Sequence, residues 1–210
     1  MKKLMTIIAV IAVVALGATP AVFAATNSAG PYTVSASVDG TLSMSVVLKK
    51  NDWNGTTITT MDFGKLIDIG TGTLRSSSTS TTATGAVCAM ITANSHGLPY
   101  SITTTGSALS NGTTTLPAGA CGCVPTYIAA DNGGAAKPTG ATLGAAGPWV
   151  GTTRAIYTSE TGTAKMVALR AYYSITDDPA GGSSGGTTGN VPLSQPGGTY
   201  TNTVTITVTA

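Results

Sequence analysis

The chain contains few side chains of the types that carry out catalysis. Its 210 residues include one histidine, His96. A hydrolase of the Ser–His–Asp type would need His96 as its general base, but the surrounding Asn-Ser-His-Gly run is typical of a turn. The sequence also lacks a Gly-x-Ser-x-Gly nucleophile elbow. A solvated turn residue at position 96 is therefore favoured over a catalytic base.

Two acidic stretches could in principle serve acid–base chemistry or bind calcium. They are the pair Asp177-Asp178 and the run that begins at Asp131. Asp-Asp-Pro after a strand is an ordinary turn, and neither spacing matches a calcium loop. We therefore predict a non-enzymatic protein that needs no metal and no cofactor.

Three cysteines could form a disulfide, which exported proteins favour. They are Cys88, Cys121 and Cys123. A bridge within Cys121-Gly122-Cys123 would be strained, so we predict that Cys88 pairs with one of the other two. The remaining thiol would then be free or would bond to another molecule. Zinc would need more ligands than these cysteines and His96 supply.

The first residues predict export. Lys2 and Lys3 precede an apolar run from Leu4 to Leu16, and Val22-Phe23-Ala24 has the small residues of a cleavage site. The apolar run is too short for a membrane anchor. We predict a cleaved signal peptide over residues 1–24, and an extracellular or cell-surface protein without a membrane span.

Charge is sparse in this chain and nearly balanced. Charged residues make up 9% of the sequence, with 10 basic and 8 acidic side chains. Nucleic-acid binding requires a basic surface and is therefore not expected. Low charge also removes the repulsion that keeps copies of a protein apart, so it permits self-association. Hydrophobic residues at 42%, arranged in alternating runs, argue against disorder.

Alternation of apolar and polar residues predicts many short strands and no helix. The closing strand is the clearest, because Val204, Ile206 and Val208 alternate with threonines. Asp39-Gly40 predicts either a hairpin turn or a bend within one long strand. Turn residues separate about eight to ten strands, which is the pattern of a β-sandwich. The predicted strands are 32–38, 42–48, 58–64, 86–93, 100–105, 121–128, 154–160, 164–175 and 204–208.

Two of these neighbours are predicted to pair as hairpins. Residues 86–93 would pair with 100–105, and residues 154–160 with 164–175. The Gly-, Ser- and Pro-rich segments 71–84, 129–151 and 177–198 are predicted to be loops.

Three stretches resemble a known family. They are Tyr32-Thr33-Val34-Ser35-Ala36-Ser37-Val38, Met61-Asp62-Phe63-Gly64-Lys65-Leu66, and the ending from Gly198-Thr199-Tyr200 to Val208. Fimbrial pilins of the chaperone–usher type and the related spore-coat-U-like secreted proteins have similar elements. The resemblance implies an immunoglobulin-like sandwich completed by a strand from a neighbouring subunit. It also implies a periplasmic chaperone and an outer-membrane usher as further candidate partners.

The segment most suited to be donated is the N-terminal one. Tyr32, Val34, Ala36 and Val38 alternate with polar residues and could fill an exposed groove of another copy. We therefore divide the mature chain into an extension, residues 25–38, and a sandwich domain, residues 39–210. Head-to-tail donation would produce an open homopolymer, which predicts a structural subunit of a filament, pilus or surface coat.

A second hypothesis is a monomeric secreted adhesin or carbohydrate-binding sandwich. Trp53, Trp149 and Tyr127 fall on predicted loops and could form a stacking platform for a sugar. Core or interface packing is the favoured interpretation of both tryptophans, because tryptophan is usually well buried.

Overall fold

The computed structural model describes residues 42–68, 70, 72–76, 87–176 and 189–210, together with the backbone of 25–29 and 34–38. The predicted signal peptide, Tyr32, most of the 71–84 loop and Asp177-Asp178 lie outside these residues. The described part is almost entirely β-structure, with two short 3₁₀ segments, Ala118–Ala120 and Ala129–Asn132, and no α-helix. The all-β fold class predicted from the sequence is thus confirmed. No helix in the described part is long and apolar enough to span a bilayer.

The strands are short and numerous, as the spacing of turn residues predicts. In chain order they are β1 (Ala25–Ala29), β2 (Val34–Val38), β3 (Leu42–Lys50), β4 (Thr57–Ile58), β5 (Leu66–Asp68), β6 (Thr73–Ser76), β7 (Val87–Asn94), β8 (Ser101–Gly106), β9 (Cys121–Tyr127), β10 (Thr142–Leu143), β11 (Gly147–Pro148), β12 (Arg154–Thr158), β13 (Val167–Ile175), β14 (Val191–Pro192) and β15 (Val204–Thr209).

These strands form two large antiparallel sheets and one small one. The five-stranded sheet has the order β1-β15-β8-β12-β10. The larger sheet has the order β11-β9-β13-β7-β3-β2, with β4 pairing β3. The small sheet has the order β14-β6-β5. Strand β2 pairs antiparallel with β3 from Val38 opposite Leu42 onwards. Asp39-Gly40, at which a hairpin turn or a bend was predicted, lies outside the described residues.

One hydrophobic core joins the two large sheets. Ile102 and Ile206 of the five-stranded sheet belong to the same buried cluster as Val46, Ile91 and Leu169 of the larger sheet. Each of these five side chains is at most 1% exposed. Two sheets that share a core in this way form a β-sandwich.

Strand β13 lies at the centre of the larger sheet, with one face in the core and the other on the outer side of the sheet. Leu169, Ala171 and Tyr173 point into the core. Arg170 and Tyr172 point to the outer face, where the alternation places them. Burial extends to this outer face because loop residues cover it.

Neither hairpin predicted between neighbouring strands forms. Strand β7 pairs with β3 and β13, whereas β8 pairs with β15 and β12. Strands β12 and β13 likewise belong to different sheets. The connection after β7 crosses the sandwich through His96 and Gly97, both at positive φ. Alternation shows that a strand has a buried face, but in a sandwich either sheet can provide it.

The sequence also overestimates one strand and misses short ones. Within the predicted strand 58–64, only Ile58 belongs to a strand, as the second residue of β4, and residues 59–64 do not. The predicted loop 129–151 contains the short strands β10 and β11. A two-residue strand is too short to show an alternating pattern, and the glycines and prolines of this segment favour the prediction of a loop.

Candidate functional site: the edge of the last strand

Strand β15 pairs along both of its edges and buries one of its faces. Val204, Ile206 and Val208 are buried, at 5%, 0% and 1% exposure. One edge of β15 pairs with β8. The other edge pairs antiparallel with β1, from Ala25 opposite Val208 to Ala29 opposite Val204. Without β1, the backbone groups along this edge would have no partner from the sheet.

The chain continues from β1 to the opposite sheet. Strand β2 pairs with β3, so that Val34, Ala36 and Val38 lie opposite Val46, Met44 and Leu42. The segment predicted to be donated therefore pairs, within its own chain, with one strand of each large sheet. Donation of this segment to another copy stays a prediction.

A cavity of about 730 Å³ lies at the start of β15. Val204 lines this cavity, and it is also the residue of β15 that lies opposite Ala29 of β1. Leu109, Leu116 and Ile175 contribute to the apolar part of the lining. Its other residues are Thr60, Met61, Asp62, Phe63, Gly64, Lys65, Leu66, Leu74, Gln195, Pro196, Gly197, Gly198, Thr199, Tyr200, Thr201 and Asn202.

The Asp62-Phe63-Gly64 motif builds one wall of this cavity. The Asp62 Oδ1 accepts a hydrogen bond from the Gly64 amide at 2.8 Å. Gly64 has a φ of 69°, which a residue with a side chain adopts with difficulty. This tight turn directs Phe63 into the core, where the side chain is 7% exposed. The motif is thus a turn that anchors an aromatic ring.

The Gly198-Thr199-Tyr200 motif also lines this cavity. The Tyr200 hydroxyl donates to the Pro196 carbonyl at 2.6 Å and accepts from the Gln195 amide at 2.7 Å. It also contacts the Thr114 hydroxyl at 2.9 Å. These bonds hold the loop before β15 against residues 110–114. Two of the three stretches on which the resemblance rests therefore line the same cavity.

Trp149 is a core residue and no part of a surface platform. Its side chain is 0% exposed. The indole stacks on Phe63 with ring centroids 6.4 Å apart and meets the edge of Tyr173 at 5.7 Å. The Tyr173 hydroxyl in turn donates to the Thr104 hydroxyl oxygen at 2.9 Å. Trp149 enters the core from a Gly/Pro-rich loop, as core packing of tryptophan predicts.

The proposed platform of Trp53, Trp149 and Tyr127 does not form. Trp53 is 44% exposed and lies over the Arg170 guanidinium, 4.3 Å from its ring centroid. Tyr127 is half-buried, and its hydroxyl donates to the Ala135 carbonyl at 3.0 Å. Of these three side chains, Trp53 alone is exposed, so core packing holds for Trp149 and is wrong for Trp53.

The disulfide predicted between Cys88 and Cys121 or Cys123 is wrong for this fold. Cys88 on β7 lies opposite Tyr172 of β13, whereas Cys123 on β9 lies opposite Tyr173. Consecutive residues of β13 face opposite sides, so Cys88 points outwards while Cys121 and Cys123 point into the core. The two positions are also two strands apart, roughly 10 Å, which no disulfide spans. All three cysteines are buried free thiols.

Burial determines the ionisation of these thiols. Desolvation raises the pKa of Cys121 to about 12. The same cause, partly offset by a bond to Tyr173 and by Arg154, raises the pKa of Cys123 to about 12. Desolvation also raises the pKa of Cys88 to about 12, against the opposing charge of Arg170. All three are therefore neutral near physiological pH.

The other residues considered for catalysis or metal binding are not grouped into a site. His96 is exposed in its turn, and its backbone amide donates to Asn94 Oδ1 at 3.0 Å. Asp131 is paired with Arg170, with Arg170 Nε and Nη2 each 2.6 Å from a carboxylate oxygen. Among the described residues, no three His, Cys, Asp or Glu side chains are grouped as metal ligands would be.

A cluster on the outer face of the larger sheet was not predicted. Arg170 forms an ion pair with Asp131 and a cation–π contact with Trp53. Beside it, the Tyr172 hydroxyl donates to Asp52 Oδ1 at 3.3 Å. The available signal was an arginine at an alternating position within an apolar strand, since a charge there requires a partner. Its partners Asp131 and Trp53 lie 39 and 117 residues earlier in the sequence, and local patterns do not report contacts over such distances.

Comparison of the chain with protein-family models, with curated proteins and with solved structures gave no match. The resemblance to pilins therefore rests on the three stretches of sequence alone, and what it implies is a proposal.

Proposed function

We propose that the protein is a structural subunit of an extracellular filament, pilus or surface coat. Subunits would assemble when the N-terminal segment of one copy pairs with β15 of the next. Because donor and acceptor are different surfaces, each added copy offers a new acceptor, and the assembly grows head to tail. The proposal includes export through the signal peptide predicted over residues 1–24.

One observation carries this proposal. The position beside β15 is filled by an N-terminal strand, through antiparallel backbone pairing along its five residues. Backbone pairing does not depend on which copy supplies the strand, so a second copy can provide the same hydrogen bonds. A sparse, nearly balanced charge imposes little repulsion between the copies.

The proposal is tested on residues 25–210 purified from an oxidising compartment. Electron microscopy and light scattering would follow assembly as the protein concentration rises. We expect filaments from this chain, and none from a variant that lacks residues 25–38. A synthetic peptide of residues 25–38 should bind the shortened variant, because its β15 edge is open.

A peptide with proline at Thr26 and Asn27 is the matched control, since proline removes the amides that a paired strand donates. This peptide should bind more weakly than the native one. Filaments formed by the shortened variant would show that the N-terminal segment is not the donor. Mass spectrometry of the exported chain would locate the cleavage site expected after Ala24.

A further inference from the structure

Trp53 is held in one orientation although nearly half of its side chain is in solvent. It is 44% exposed, whereas Arg170 beneath it is 7% exposed. Arg170 lies against one face of the indole, at 4.3 Å from the ring centroid. Cation–π contact fixes that face, so the opposite face remains available to a ligand.

The support beneath the indole is itself rigid. Two bonds of 2.6 Å join Arg170 to Asp131 in a two-pronged pair. Such a pair fixes the plane of the guanidinium and therefore the plane of the ring stacked on it. The hydrogen bonds to Asp131 also raise the pKa of Arg170, so its positive charge is permanent.

The loop that carries Trp53 is also fixed. Its backbone is closed by a hydrogen bond of 2.9 Å from the Lys50 amide to the Thr56 carbonyl. The Trp53 amide donates to Asp52 Oδ1 at 2.6 Å. A Cβ on Gly55 would lie 1.8 Å from the Lys50 carbonyl oxygen, so this turn accepts only glycine. A fixed aromatic ring binds a ligand without first losing conformational freedom.

The groups beside the ring indicate what kind of ligand would fit. Asp52 Oδ2 makes no hydrogen bond to any described residue, and the Asn54 side chain is exposed. A pyranose ring has an apolar C–H face, which stacks on indole, and a rim of hydroxyls, which bond to carboxylate and amide groups. Anionic ligands would meet the Asp52 carboxylate and be repelled.

We infer that Trp53, with Asp52 and Asn54, forms a binding site for a neutral pyranose sugar. The site lies over the larger sheet, whereas β15 belongs to the five-stranded sheet. Strand exchange at β15 does not require this surface, so the inference does not depend on assembly.

Iodide quenching of tryptophan fluorescence tests the inference, since Trp149 is buried and the quenching reports Trp53. The probes are lactose, cellobiose, maltose and N,N′-diacetylchitobiose. At least one should protect Trp53 from iodide in a saturable manner. Trp53→Tyr should retain binding, measured by saturation-transfer NMR, and Trp53→Ala should weaken it by about tenfold or more. Met166→Ala, at an exposed residue away from this loop, should bind as the native chain does.

Three results would overturn the inference. They are the absence of protection by all four sugars, equal binding by Trp53→Ala and the native chain, and protection of Trp53 by self-association alone. The last would assign the indole to a contact between copies. Near-ultraviolet circular dichroism of each variant would show that the fold is intact.

Discussion

The three thiols are buried in two separate places within one sheet. Cys88 lies on the outer face, with its sulfur 3.9 Å from the Met90 sulfur. Cys121 and Cys123 belong to the core between the sheets. The sequence predicts strands that contain Cys88, Cys121 and Cys123, and they lie on strands. It cannot report the face or the strand order, which decide whether two cysteines meet.

Thiol reactivity follows from this burial. We expect none of the three cysteines to react with Ellman's reagent in the folded protein at mildly alkaline pH, because the thiolate is the reactive species and burial suppresses it. All three should react once the protein is unfolded in concentrated guanidinium chloride. Recovery of fewer than three thiols without a reducing agent would contradict the register that separates Cys88 from Cys121 and Cys123.

Individual side chains differ in how far local sequence predicts their position. Val204, Ile206 and Val208 face the core as their alternation indicates. Trp149 lies in a Gly/Pro-rich stretch without periodicity, so only its residue type favours burial. Trp53 depends on Arg170, which is distant in sequence, and its exposed position follows from a tertiary contact.

At the level of elements, alternation of apolar and polar residues identifies where strands lie, but it does not identify which strands pair. Both β7 and β8 lie where the sequence predicts strands, yet they belong to different sheets. A six-residue connection permits either a hairpin or a crossing of the sandwich, and long-range packing decides between them. The cavity at the start of β15 was likewise not predicted, because its two motif-bearing walls are remote in sequence.

Strand β8 approaches the core aromatic cluster closely at one residue. A Cβ on Gly106 would lie 2.5 Å from Cζ3 of Trp149. We expect Gly106→Ala to lower the free energy of unfolding by about 1–3 kcal/mol, because the indole must move within a packed core. Urea denaturation followed by circular dichroism measures this change.

Gly197→Ala is the matched control, since nothing lies within 4 Å of the added carbon and the residue has no positive φ. Its effect should stay within about 0.5 kcal/mol. Equal stability of the two variants would contradict the close packing of Trp149 against β8.

For the whole molecule, burial of acidic thiols and phenols predicts loss of stability in alkali. Burial raises the pKa of the three cysteines from 9.0 to about 12, and that of Tyr157 and Tyr172 from 10.0 to about 12. The unfolded chain therefore releases these protons at lower pH than the folded chain. The stabilisation is complete below about pH 9 and decreases as pH rises towards 12.

Urea midpoints measured between about pH 8 and pH 10.5 test this dependence. We expect a nearly constant free energy of unfolding at the lower end and a steepening decrease above about pH 9. Cys123→Ala should reduce the steepness, since one titrating group is removed. A slope equal to that of the native chain would contradict the contribution of this thiol.

Pairing of β1 with β15 also has a kinetic consequence. Ala25 and Val208 must meet, although almost the whole chain separates them. Contacts of such high sequence separation form slowly, because the chain loses the entropy of closing a long loop before it gains the contact. The edge of β15 is therefore expected to be completed late in folding. During that interval the chain's own N-terminal segment competes with those of neighbouring chains for the edge of β15, and the outcome depends on its effective concentration relative to theirs. A high local concentration of chains at the site of export would favour the neighbours.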